Sequence, residues 1–178
     1  MKPFLIAFSA LAGLGLVLSL AVHAASLFGI ALFGGSAFAL HVGIFVVWIP
    51  TVIIAQRNTR EFKRKDFWKA ALRGCPSWMK GLTYGFFAYA IVNFAYFFLT
   101  TADGAKHSSP PDAAILRGFS GHWMAFYSAA MSVLYSSTRV SSDAGPQCAR
   151  GHPLGPVSKF CERCGEPVQG SPPLPPAV

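Results

Sequence analysis

The sequence predicts an all-α integral membrane protein: four transmembrane helices followed by a small metal-binding module. Three observations carry this expectation. Between Lys2 and Arg57 there is no Lys, Arg, Asp or Glu, and so long an uncharged run needs lipid around it, since one span takes only about 20 apolar residues. The chain is 53% hydrophobic and only 12% charged, against roughly a quarter charged in a soluble domain. Near the C-terminus, Cys148-Ala-Arg-Gly-His152 and Cys161-Glu-Arg-Cys164-Gly165 offer two close ligand pairs of the kind that build one metal site.

The first span is expected over 3–22, rich in Leu, Ala and Gly. Its start also resembles a secretory signal: Lys2, an apolar stretch, then Val22-His23-Ala24 before Ala25. The apolar stretch exceeds the ~7–15 residues of a signal core, which favours a retained helix; cleavage would leave three spans. The second span is placed at 37–55. Residues 27–35 read as an interfacial turn or an extra helical piece, with a break at Gly34-Gly35-Ser36. Pro50 kinks this helix at a site that neighbouring helices can satisfy.

A basic loop follows over 56–81. Arg57, Arg60, Lys63, Arg64, Lys65, Lys69, Arg73 and Lys80 face only Glu61 and Asp66, so this segment supplies six of the chain's eight net positive charges. Lodged between apolar spans, such a cluster marks the cytoplasmic side and a contact with anionic lipid headgroups through Arg57, Arg60, Lys63, Arg64, Lys65 and Lys69, not nucleic acid. Phe67 with Ala71 and Trp68 with Leu72, each four apart, predict a short amphipathic helix at the membrane surface.

The third span, 82–99, is loaded with rings, Tyr84 and Tyr96 near its two ends as interfacial anchors. Asn93 is its one amide and is expected to hydrogen-bond between helices. The loop over 101–118 balances Lys106 and Arg117 against Asp103 and Asp112, so it lies outside. The fourth span, 119–136, sets Gly121, Ala125 and Ala129 at four-residue spacing beside Ser128 and Ser132. That stripe serves packing within the chain or a homo-oligomer. Both termini are then cytoplasmic.

After a Ser-rich linker at 138–146, residues 147–168 form the metal module and 169–178 a Pro-rich disordered tail. A reducing cytoplasm disfavours disulfides, and Cys with imidazole at these spacings suits Zn2+. A segment this short cannot bury a useful core, so metal binding supplies most of its folding free energy. The tail resembles the zinc-ribbon family common at the ends of prokaryotic membrane and regulatory proteins. The matching residues are Cys148, Gly151-His152-Pro153, Lys159-Phe160-Cys161 and Cys164-Gly165-Glu166-Pro167. The resemblance implies one structural zinc held by Cys148, Cys161 and Cys164. Many members have two cysteines in the first knuckle; here the fourth ligand is His152, with Cys75 as a weaker alternative. The expected location is the bacterial inner (plasma) membrane.

Four histidines outside the tail fall on the outer side of this topology: His23, His41, His107 and His122. If the helix ends converge, His41 and His122 share a metal or haem; otherwise each caps a helix, bonds a carbonyl or sits in the interface. No Cys-x-x-Cys-His haem motif, paired carboxylates or nucleophile motif is present. The functional expectation is a non-enzymatic multi-pass protein whose zinc ribbon contacts a cytoplasmic protein. The alternative is a small transporter or redox protein using the outer histidines.

Overall fold

The computed structural model describes residues 2–60, 62–104, 112–140, 148–150, 152, 154 and 160–167. It contains helices α1 (Lys2–Leu27), α2 (Ala39–Thr59), α3 (Phe67–Ala71), α4 (Ser77–Gly104) and α5 (Asp112–Val140), with 3-10 turns at Gly34–Phe38 and Arg64–Asp66. No strand occurs among the described residues. The chain divides into two compact units, Met1–Arg139 and Val140–Val178.

Three helical segments, Lys2–Leu27, Gly34–Thr59 and Ser77–Thr100, are long and apolar enough to cross a membrane, which marks the chain as a membrane protein by length and composition. Each runs past the span expected from sequence, because helix continues beyond the apolar window wherever nothing breaks it. The break expected at Gly34-Gly35-Ser36 is a 3-10 turn, Gly34–Phe38, that leads into α2, and the backbone at and before it is left-handed at Gly29, Phe33 and Gly34. The basic loop is correspondingly shorter than 56–81, and the outer loop shorter than 101–118. Lys106 and His107 lie outside the described residues. The linker expected at 138–146 begins inside α5, and residues 141–147 lie outside the described residues, as does the 169–178 tail.

The helix expected as the fourth span differs in kind from the others. α5 does not meet the apolar criterion that α1, α2 and α4 meet, yet it is the most buried element, with Ser120, Ser128, Ser132 and Ser136 all at 1% exposure or less. It reaches each of the other long helices: Ser9 of α1 donates to the Met131 carbonyl, Tyr127 donates to the Leu40 carbonyl of α2, and Asn93 of α4 donates to the carbonyls of Arg117 and Gly118. Small residues permit the approach. A Cβ at Gly118 would lie 2.6 Å from the Phe97 ring, and one at Gly121 would lie 2.5 Å from Asn93 Nδ2. The Gly121–Ala125–Ala129 stripe is therefore covered within the chain.

Outward faces reverse the usual pattern. Val42, Ile53 and Ile91 are 61–70% exposed, and apolar surface on that scale needs lipid rather than water. Buried hydroxyls return their hydrogens to their own helix, as Ser19 to Gly15, Thr51 to Val47 and Thr83 to Met79. The short helix expected from the four-residue spacings is α3. Ala71 and the following Leu72 pack with Ala55, Cys75, Met79 and Val133, while Trp68 stacks edge-on with Phe87.

Candidate metal centre

The C-terminal module is built from two turns. Cys148 N–H donates to the His152 carbonyl (3.0 Å), and His152 N–H donates back to Cys148 Sγ (3.3 Å). On the second turn, Gly165 N–H closes onto the Cys161 carbonyl (2.8 Å) and Cys161 N–H onto that of Glu166 (2.9 Å). Gly165 holds φ of 70°, a left-handed conformation that a side chain resists. An antiparallel bridge pairs Phe160 with Pro167.

These turns bring the ligand atoms of Cys148, His152, Cys161 and Cys164 within 4.8 Å of one another. The separations test whether one ion fits. Tetrahedral bonds of about 2.3 Å to sulfur and 2.0–2.1 Å to nitrogen put ligand atoms roughly 3.8 Å apart for S···S and roughly 3.6 Å for S···N. Cys148 Sγ lies 3.7 Å from Cys164 Sγ, and His152 Nδ1 lies 3.5 Å from Cys148 Sγ and 3.7 Å from Cys161 Sγ. The cluster can therefore hold a metal ion, with Nδ1 as the imidazole donor and all four corners supplied by protein.

The thiols are not equivalent. Desolvation raises the Cys161 thiol, but backbone hydrogen bonds from Arg163 and Cys164 and contacts with the neighbouring thiols outweigh it and bring it down to about 6. For Cys164 a backbone hydrogen bond from Glu166 lowers the thiol, while desolvation and the Cys161 and Cys148 sulfurs override it and push it up to about 11. Crowded sulfurs resist sharing negative charge, and a bound cation relieves that repulsion. Cys75, the alternative fourth ligand, is engaged within the helical unit: its Sγ donates to the Ser132 carbonyl at 3.0 Å, and burial pushes its thiol up.

Comparison of the chain with protein-family models, with curated proteins and with solved structures finds no match. The site is therefore read from its own geometry.

His41 and His122, named from sequence as a possible second centre, do converge. His122 Nε2 lies 3.3 Å from His41 Nδ1, and Trp123 Nε1 donates to the same His41 nitrogen at 3.1 Å. No third metal-ligating side chain joins them among the described residues. His23 goes elsewhere. Its Nδ1 meets Ser120 Oγ (2.7 Å) and its Nε2 meets Tyr89 Oη (2.5 Å), tying α1, α4 and α5 together. Ser120 donates on to the Arg117 carbonyl (3.3 Å), so a consistent proton arrangement runs Tyr89 to His23 to Ser120 to backbone. Sequence reasoning missed this network because its members lie 66 and 97 residues apart. Arg57, Arg60, Lys63, Arg64, Lys65 and Lys69 are all exposed on the end of α2, the following turn and α3, and none is in an ion pair among the described residues.

Proposed function

We propose that this is a non-enzymatic, four-span membrane protein that presents a structural zinc ribbon in the cytoplasm for contact with another protein. The carrying observation is the Cys148–His152–Cys161–Cys164 cluster, whose separations match a tetrahedral zinc. A saturated ligand set leaves no position for substrate, so the ion acts as scaffold. Counting α5 as the fourth span rests on its length of 29 residues and on its shelter among the apolar helices, which hides its serines from lipid. Retention of α1 is supported by its buried contacts with α5 through Ser9 and His23. The basic segment, exposed and free of ion pairs among the described residues, supports the inside assignment and a contact with anionic lipid.

Full-length protein in detergent is expected to carry one zinc per chain by elemental analysis, and Cys161→Ser none. Crosslinking and pulldown with intact and Cys161→Ser tails then asks whether a partner depends on the folded module; a partner set indifferent to the substitution overturns the interaction reading. Labelling of Asn58→Cys and Ser108→Cys checks orientation. Residue 58 reacting from outside the cell inverts the topology.

A further inference from the structure

A groove of about 360 Å³ lies between α4 and α5, walled by Phe87, Phe94, Phe119 and Phe126, with Ile91 on its rim and His122 as its polar lining residue. Ile91 is 70% exposed, so the groove opens on the face that α4 turns to lipid. Acyl chains would fill a purely apolar groove without discrimination; His122 makes this one selective. An indole N–H only donates, so the Trp123 bond makes His41 Nδ1 an acceptor. The His122 tautomer that avoids setting two lone pairs against each other carries its hydrogen on Nε2, shared with Trp123 on the same acceptor. His122 Nδ1 is then a lone-pair acceptor, and it has no hydrogen-bond partner among the described residues. The four phenylalanine rings suit an aromatic guest in edge-on contact, as three of them already do the His122 ring, at 5.6 Å from Phe119 and 6.3 Å from Phe94 and Phe126.

We propose that the α4–α5 groove binds a membrane-soluble hydroxyaromatic lipid of the quinol type, its hydroxyl donating to His122 Nδ1 and its ring lying among the phenylalanines. The His41–His122–Trp123 contact sets the polarity of the site: a hydroxyl is accepted, and an ether or a bare carbonyl finds no donor. This rests on the membrane reading of α4 and is independent of the metal centre.

The test uses full-length protein in phosphatidylcholine nanodiscs, titrated with an alkyl hydroquinone and with its dimethyl ether while tryptophan fluorescence is followed. The hydroquinone is expected to bind about tenfold more tightly than the ether, the ratio that loss of one hydrogen bond produces. His122→Phe should abolish the discrimination. Ile91→Trp, on the exposed rim and clear of the histidine pair, should weaken the hydroquinone several-fold, which keeps the proposal testable if His122→Phe fails to fold by circular dichroism. Equal binding of the two probes to the wild type, no saturable binding of either, or unchanged affinity in Ile91→Trp overturns it.

Discussion

In Met1–Arg139 hydroxyl side chains share the interior with an apolar core and apolar side chains also cover the outside, with Ser120, Ser128 and Ser132 fully buried while Ile53 and Ile91 stand exposed. In the C-terminal module the only buried residues among those described are two cysteines of the candidate metal cluster, Cys148 and Cys161. The first unit is shaped by lipid. With no hydrophobic gain from hiding apolar groups, its helices associate through close packing of small residues and hydrogen bonds. The second has too little chain for a core, and on the proposed metal-bound reading its cohesion would come from ligand atoms converging on one ion. One chain therefore contains two units whose stabilities depend on different chemistry and should fail independently.

The largest separation comes from the metal. Chelation, or Cys161→Ser, should unfold the module completely while leaving the helical unit intact, seen as new proteolysis beyond residue 147 with unchanged helical circular dichroism. Simultaneous loss of helix would couple the two units and break the comparison. The converse perturbation is Trp123→Ala, which empties a fully buried position. It should cost the helical unit about 3 kcal/mol, the low end for an aromatic-to-alanine change, measured by denaturation in detergent, with zinc content unchanged.

Ser132→Ala removes the 2.8 Å contact with Thr83 between α4 and α5. Its expected effect is about 0.6 kcal/mol, since interhelical bonds in membranes average that value. The smallest effect sharpens the ligand assignment. Cys75→Ser should leave metal stoichiometry at the wild-type value, whereas His152→Ala should reduce zinc retention during dialysis; the opposite pattern would move the fourth ligand to Cys75.

Legibility differed between the two units for physical reasons. The three apolar helices could be read because composition alone sets which segments tolerate lipid, and the uncharged run from Pro3 to Gln56 leaves little else. Their ends could not, since helices extend into polar residues until a turn stops them, as α4 does to Gly104. The metal cluster could be read because its ligands are close in sequence and its turn carries Gly165. The packing of α3 could not be read: Ala71 and Leu72 fit a membrane surface and a helix crevice equally well, and their contacts with Ala55 and Val133 are set by tertiary structure.

Sequence by itself determined the membrane character, the charge asymmetry and the ligand types of the metal module, all of which depend on local composition and short spacing. Tertiary structure alone decided that Ser-rich α5 is sheltered by the other helices, that His23 pairs with Ser120 and Tyr89, and that His41 meets both His122 and Trp123. Those outcomes depend on which faces of distant helices meet. Interior polar groups must find partners wherever packing brings one within reach, and no local pattern specifies that partner.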